Sequence, residues 1–71
     1  MELENVVAAN IQRLMEKNHL TQNELGDYLH LSRQTISKYI KGKTTFNIVQ
    51  LIKLAHLFRV PIEQLLADGK G

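Results

Sequence analysis

The chain has 71 residues and a formal net charge of +2, which suits one small domain and leaves no room for a second core. It has no cysteine, so disulfide bonds and thiolate zinc sites are excluded, and its histidines, His19, His30 and His56, are too scattered to indicate a metal site. No apolar run reaches the roughly 18 residues of a membrane span, and the first four residues lack the basic-then-apolar order of a secretory signal. We therefore expect one soluble, cytoplasmic domain over residues 1–71, without a cofactor.

Apolar residues recur at helical spacing along the chain, and alternating β-branched runs typical of strands are absent. A first helix is predicted over about 3–17, with an inward stripe made of Leu3, Val7, Ile11 and Leu14. Thr21 and Glu24 have the spacing of a capping box, which predicts a second helix directly after Thr21. Its inward residues are predicted to be Leu25, Tyr28 and Leu29.

Three more helices follow. Ser32 is predicted to cap the third helix, whose inward residues are Ile36, Tyr39 and Ile40. After a loop over 41–45, Asn47 and Gln50 form a second predicted capping box, with Phe46 and Leu51 placed as a hydrophobic staple. The fourth helix continues this stripe with Leu54, Ala55 and Phe58, and Pro61 suits the first turn of a short fifth helix with Ile62, Leu65 and Leu66. Residues 68–71 are expected to be frayed.

The segment 22–41 fits a helix-turn-helix unit, in which two helices cross steeply over a short turn. Gly26 supplies the small residue that such a crossing needs, and Leu29 and Leu31 flank the turn. If Ile36 and Tyr39 anchor the back of the third helix, its front is left with polar and basic residues: Arg33, Gln34, Thr35, Ser37 and Lys38. Arg and Lys suit guanine and Gln suits adenine in the major groove.

Charge is segregated along the chain. Between Tyr28 and Ile62 there is no acid, and six basic residues give this window a charge of +6, whereas three basic and seven acidic residues elsewhere give −4. The six are Arg33, Lys38, Lys41, Lys43, Lys53 and Arg59. Such segregation indicates a polyanionic partner on one face, although a chance cluster on a solvated surface is the alternative.

From residue 11 to residue 66 the sequence resembles the Cro/C1-type helix-turn-helix family, also called XRE-like, which has the lambda-repressor-like fold of five helices. The landmarks are the segments 20–25 (LTQNEL), 31–38 (LSRQTISK), 41–43 (KGK), 51–55 (LIKLA) and 60–66 (VPIEQLL). The resemblance implies an all-α, sequence-specific regulator of transcription of bacterial or phage type. Its expected partner is double-stranded DNA, and its expected action is repression, with activation left open by the sequence. A homodimer is expected, at least on DNA.

The resemblance also implies roles for individual residues. Base-reading positions match Ser32, Arg33, Gln34 and Lys38. Positions at the DNA backbone match Thr21, Gln22, Thr35, Ser37, Lys41, Lys43, Thr44 and Thr45. For a contact between two copies, Val60, Ile62 and Leu66 are candidates, although at least two of them are expected in the core.

The sequence departs from the family pattern in two ways. His19, His30 and Arg59 stand where the family commonly has glycine, so either the turns shift or a left-handed backbone is accepted at a cost of roughly 1 kcal/mol each. Met15 and Ile40 stand where the family often has an Arg–Glu pair, and such an exchange for apolar groups is often neutral or stabilising.

Two other functions are weighed against DNA binding. A protein-interaction helix-turn-helix, such as an antitoxin or an accessory subunit, should lack basic residues on the recognition face, and Arg33 and Lys38 argue against it. A small metabolite- or nucleotide-binding enzyme should show a glycine-rich phosphate loop or metal ligands. No such motif, catalytic set or small-molecule effector site is apparent, so we expect no enzyme activity.

Overall fold

The computed structural model describes residues 3–67. For Leu3 and Glu4 it describes the backbone only. Within this range the chain forms five helices: α1 (Leu3–Lys17), α2 (Gln22–Leu29), α3 (Arg33–Ile40), α4 (Ile48–Phe58) and α5 (Ile62–Leu66). The all-α fold and the helix order are as predicted. The expected fraying of residues 68–71 and the inward side chain of Leu3 lie outside the described part. None of the described helices has the length and apolar character to cross a membrane.

Three helices, α2, α3 and α4, begin where local side-chain chemistry predicts. Thr21 accepts a hydrogen bond from the backbone of Glu24 at 3.1 Å, and the Glu24 carboxylate accepts one from the backbone of Thr21 at 2.9 Å. Asn47 and Gln50 form the same reciprocal pair at α4, at 2.8 and 2.9 Å. Ser32 caps α3 by accepting from the Thr35 backbone at 3.2 Å. Both capping boxes and the Ser32 cap are thereby confirmed.

Three helices end on a residue with a left-handed backbone that is not glycine. His19, His30 and Arg59 have φ values of 57°, 60° and 58°. In each case the N–H of the following residue donates to the carbonyl five positions before it, at 2.8, 2.8 and 3.0 Å. The N–H of the left-handed residue itself donates to the carbonyl three positions before it. This is the Schellman motif, which pairs the last carbonyls of a helix. The turns have therefore not shifted, and the chain accepts the conformational cost.

The end of α3 also has a left-handed residue, and there the residue is a glycine. Gly42, with φ 75°, ends α3 through the same two hydrogen bonds, from its own N–H to Tyr39 and from Lys43 to Lys38. A Cβ at residue 42 would collide with the side chain of Asn5 in α1. His19, His30 and Arg59 are exposed, so their side chains have room. Glycine therefore stands where the backbone is left-handed and the Asn5 side chain occupies the space that a Cβ would take.

One core unites the five helices, and each helix contributes one side chain that is completely buried. These are Ile11, Leu25, Ile36, Leu54 and Leu65. α1 packs against α3 and α5, α2 packs against α3, and α4 packs against α5. The predicted staple residues Phe46 and Leu51 belong to the same buried cluster. Three of the four aromatic residues expected in the core lie in it or against it: Tyr39, Phe46 and Phe58.

Tyr28 is the exception, because its predicted inward orientation is wrong. Its side chain is 40% exposed, and its hydroxyl donates to the Lys53 carbonyl at 3.2 Å. The buried face of α2 is Leu25, Gly26 and Leu29. At 100° per residue, Tyr28 lies about 100° from the centre of that face. Close packing through Gly26 thus turns the helix away from the orientation that large apolar residues alone predict.

Two smaller differences concern α5. Pro61 is the residue before the helix, not part of its first turn, which begins at Ile62. Leu66 is 38% exposed, whereas Leu65 is fully buried.

A buried asparagine joins the two ends of the described chain. Asn10 is 1% exposed, and its amide donates to the carbonyls of Leu65 at 2.9 Å and Ala67 at 2.7 Å. Its side-chain oxygen accepts from the Arg13 guanidinium at 2.8 Å. A buried amide is stable only when it is hydrogen-bonded, and here it supplies partners to carbonyls at the end of α5.

Candidate nucleic-acid interface

α2 and α3 are held at close range by their shared turn, residues 30–32. A Cβ built on Gly26 would lie 2.5 Å from the Leu31 carbonyl oxygen, so only glycine allows this approach. The Leu31 N–H donates to the Gly26 carbonyl at 2.8 Å, and the Leu31 side chain packs against the core. Together with the left-handed His30, these contacts fix the orientation of α3 relative to α2.

One face of α3 packs against the core, and the opposite face is open to solvent. Ile36 is fully buried, and the half-buried Tyr39 and Ile40 pack against the core. The Tyr39 ring lies on Phe46 with centroids 4.1 Å apart and planes tilted by 30°, which connects the end of α3 to the start of α4. The start of α3 consequently faces solvent, and Ser32, Arg33, Gln34 and Lys38 are exposed, whereas Thr35 and Ser37 are half-buried.

A groove of about 290 Å³ runs along this open side. We call it the basic groove, and it is lined by Gln22, Arg33, Gln34, Ser37, Lys38, Lys41 and Lys43. Four of these side chains are cationic and none is acidic. All seven are residues predicted to contact DNA, and they come from the start of α2, from α3 and from the loop after α3. The fold therefore brings four of the six basic residues of this window together, whereas Lys53 and Arg59 do not line the groove.

The other five predicted contact residues do not line the groove. Thr21 and Ser32 act as helix caps, and the Ser32 and Thr35 hydroxyls are hydrogen-bonded to each other at 2.9 Å. Thr44 and Thr45 are exposed in the loop that leads to Phe46. These five residues therefore lie on or beside the helices and the loop that form the groove, but they do not line it.

One supporting residue was not predicted from the sequence. Asn5 packs at Gly42, where the loop that carries Lys41 and Lys43 turns away from α3. The contact joins residues 37 positions apart in the chain, so no local pattern indicates it. It positions the basic loop against α1.

A second cleft, of about 250 Å³, lies beside the basic groove and shares Gln22 with it. Met15 and Ile40, which replace the family's ionic pair, both line it. Met15 is buried and Ile40 is half-buried against the core, so this pair of positions packs as apolar groups. In the part of the chain that the structure describes, no three His, Asp or Glu residues come together as metal ligands would.

Five packed helices with an exposed, basic helix after a tight turn are the architecture of a helix-turn-helix DNA-binding domain. A family model described as "Helix-turn-helix" matches residues 11–65, and the chain belongs to this family, in its Cro/C1-type form.

Known proteins with similar sequences or structures are regulators of transcription. The HTH-type transcriptional activator BcrR of Enterococcus faecalis is 37% identical over 57 residues, which are 80% of this chain and 28% of that protein. A transcriptional regulator from Listeria innocua is 30% identical, with a TM-score of 0.80 over 84% of this chain and 56% of its own. The hypothetical transcription factor NHTF from Neisseria is 23% identical, with a TM-score of 0.86 over 97% of this chain and 79% of its own, and this likeness shows the fold alone. The chain thus spans just over a quarter of the curated relative and just over half of the Listeria protein.

Proposed function

We propose that this chain binds double-stranded DNA sequence-specifically and regulates transcription through it. The observation that carries the proposal is the basic groove, in which four cations and no acid line the exposed start of the second helix of a helix-turn-helix unit. The dimensions of an α-helix match the major groove of B-DNA. The absence of acid from the groove allows phosphates to approach without like-charge repulsion.

We assign the side chains to two kinds of contact, one with base edges and one with the DNA backbone. Arg33, Gln34 and Lys38 are exposed on the front of α3, and we assign them, with Ser32, to base edges. Gln22, Lys41 and Lys43 line the groove from the start of α2 and the end of α3 onward, and we assign them to phosphates. The hydroxyl-bearing residues Thr21, Thr35, Ser37, Thr44 and Thr45 complete the proposed backbone contacts.

The finer parts of the proposal concern assembly and outcome. We propose that two copies bind adjacent half-sites, because a two-fold pair sets recognition helices about 34–36 Å apart, one turn of the duplex. We also propose repression, since a bound pair excludes other proteins from the DNA that it covers. A reporter gene downstream of the site tests this, and a rise in expression on adding the protein would assign it to activation, the role in the name of the Enterococcus relative. Because DNA is the proposed ligand, we propose a cytoplasmic location.

A salt titration tests the electrostatic core of the proposal. Binding sites are first selected from random DNA, and affinity is then measured by fluorescence anisotropy from low to physiological salt. With about 4–6 phosphate contacts per copy, the logarithm of the binding constant should fall with the logarithm of salt with a slope of roughly −4 to −5. A flat response would remove the electrostatic argument, and failure to select any DNA site would favour the protein-interaction function.

The matched variants are Lys43→Ala and Lys17→Ala. Lys43 lines the basic groove, so its removal should make the slope shallower by about one. Lys17 is equally exposed but lies at the end of α1, outside the groove lining, and its removal should leave the slope unchanged. Equal effects of the two substitutions would show that net charge, and not the groove, determines binding.

A further inference from the structure

The second cleft, beside the basic groove, combines apolar and polar side chains around one open space. It has a volume of about 250 Å³ and is lined by residues of α1, α2 and α3 and by Leu20. Its apolar lining is Met15, Leu20 and Ile40, of which Leu20 and Ile40 are only half-buried. Its polar lining is Gln12, Glu16, Thr21 and Gln22. Apolar walls with a few polar groups are the usual composition of a small-molecule site.

The residues at positions 15 and 40 give the cleft its apolar character. An ionic pair at these positions would place charged groups in the lining, whereas Met15 and Ile40 leave an apolar surface that is partly open to solvent. An apolar ligand that covers this surface removes it from water, which is favourable. The lining residues lie between positions 12 and 40 and come together only in the fold, so no local sequence pattern indicates the site.

Glu16 determines which charge the ligand carries. Among the residues that line the cleft it is the only charged one, and it is exposed in the last turn of α1. An ammonium group beside this carboxylate is attracted to it, and an anion is repelled. An anion would also bind more favourably in the neighbouring basic groove, where four cations line the surface. The cleft therefore favours a cation with an apolar body.

The volume of the cleft limits the size of the ligand. At about 250 Å³ it is just below the roughly 300–1,000 Å³ of pockets that hold drug-sized ligands. A small amine with one ring or a short alkyl chain suits this volume, and a folded partner protein does not enter it.

We propose that the second cleft binds a small amphipathic amine, with its ammonium group beside Glu16 and its apolar body against Met15 and Ile40, and that this ligand strengthens DNA binding. The ligand site stands on the cleft alone. The effect on DNA rests on the DNA-binding function proposed above.

Gln22 connects the two sites, because it lines both the cleft and the basic groove. Its amide has an oxygen that accepts and an NH₂ group that donates, so the ammonium group and a DNA phosphate use different ends of the same side chain. The two ligands therefore do not compete for it.

The charges of the groove give the coupling its sign. While DNA is absent, the four cations of the groove repel a cationic ligand in the neighbouring cleft. Phosphates that neutralise these cations remove the repulsion, so DNA favours binding of the amine. By linkage, the amine favours binding of DNA by the same factor.

A titration followed by NMR tests the ligand site without DNA. The probe is benzylammonium, and the two controls are benzyl alcohol, which lacks the charge, and methylammonium, which lacks the apolar body. Benzylammonium should shift the backbone signals of Leu20, Gln22 and Ile40 and bind about 2–5-fold more tightly than benzyl alcohol, as an exposed ion pair allows. Methylammonium should not saturate the site. Equal affinities of benzylammonium and benzyl alcohol, or shifts away from the cleft, would overturn the assignment.

Three variants locate the contacts. Glu16→Gln should remove the preference for benzylammonium over benzyl alcohol, whereas Glu63→Gln, at an exposed position of α5 outside the cleft lining, should keep it. Met15→Arg/Ile40→Glu introduces the ionic pair common in the family and should abolish binding of both aromatic probes. Thermal unfolding checks that each variant is folded. A preference that survives in Glu16→Gln would contradict the proposed ion pair even if the double variant does not fold.

The effect on DNA is measured by fluorescence anisotropy on a selected site, with benzylammonium and methylammonium compared at equal concentration so that ionic strength is matched. Wild-type protein should bind DNA about 2–5-fold more tightly with benzylammonium, and Glu16→Gln should show no such gain. Protein that binds the amine but no DNA contradicts the proposed function and leaves the ligand site standing. DNA binding without a gain, or a gain that persists in Glu16→Gln, leaves the function standing and overturns the coupling.

Discussion

Replacing His30 by glycine should stabilise the protein or leave its stability unchanged, although glycine is ordinarily unfavourable in a folded chain. His30 has φ 60° and ψ 42°, a left-handed conformation that costs an L-residue with a Cβ about 1–2 kcal/mol. Glycine adopts it without that cost. Glycine also gives the unfolded chain more freedom, which offsets about 0.4–1 kcal/mol of the gain. The balance is a stabilisation of between zero and about 1.6 kcal/mol.

The side chain of His30 does not change this balance. It is exposed, and the hydrogen bonds that close the turn, from His30 to Asp27 at 3.4 Å and from Leu31 to Gly26 at 2.8 Å, are made by the backbone. Glycine keeps both N–H groups. What His30→Gly alters is therefore the conformational preference of one residue, and the effect can be measured nearly in isolation.

Thermal and urea unfolding provide the assay. For a domain of this size 1 kcal/mol corresponds to roughly 4–8 °C in Tm, so the expected shift runs from zero to about +13 °C. The matched control is Gln12→Gly, an exposed position inside α1 with ordinary helical geometry, which should lose about 0.5–1 kcal/mol. If His30→Gly destabilises as much as Gln12→Gly does, the left-handed turn is not under strain and the reasoning fails.

Three further substitutions test the fold and the interface. Asn10→Ala should destabilise by about 1–3 kcal/mol, because a carbonyl buried at the end of α5 loses its donor, and the midpoint of urea unfolding measures the loss. Gly26→Ala gains up to about 1 kcal/mol of helix propensity but forces a Cβ against a backbone oxygen, which costs about 1–3 kcal/mol, so calorimetry should show net destabilisation or, at best, no gain. Arg33→Ala should cost about 1–3 kcal/mol on the preferred site and relax the choice at one base pair, whereas Lys43→Ala should weaken all duplexes about equally. Competition with random DNA distinguishes the two, and an equal effect of Arg33→Ala on specific and random DNA would contradict the proposed orientation of α3.

The sequence predicts best what neighbouring residues determine. A capping box involves two residues three positions apart, so Thr21 with Glu24 and Asn47 with Gln50 reveal the starts of α2 and α4 without any knowledge of the fold. The basic groove could be predicted for a similar reason. Once Ile36 is assigned to the core, helical geometry alone turns the start of α3 outward.

What the sequence does not predict depends on distant contacts. Asn10 binds carbonyls 55 and 57 residues away, and nothing near it in the chain distinguishes it from a surface asparagine. The size and spacing of Tyr28 predict an inward side chain, but the close approach at Gly26 determines which side of α2 is buried.

The left-handed helix ends lie between these two cases. His19, His30 and Arg59 lack the usual glycine signal, yet each is followed by an apolar residue that packs against the core. These apolar residues are Leu20, Leu31 and Val60. A Schellman motif commonly brings such a residue back against the preceding helix. A polar residue followed by an apolar one at the end of an amphipathic stretch is therefore a usable signal even without glycine.

The apolar residues Met15 and Ile40, which line one cleft, connect the packing of the fold to the electrostatics of the groove. An ion pair at these positions would place a carboxylate at the end of α3, close to Lys41 and Lys43. With Ile40 there, the window from Tyr28 to Ile62 has no acid, and none lines the groove. An apolar pair also avoids the desolvation cost of buried charges. The same exchange is compatible with the packing of α1 against α3 and leaves no carboxylate at the end of α3. If the chain binds DNA as proposed, phosphates neutralise the cations of the groove.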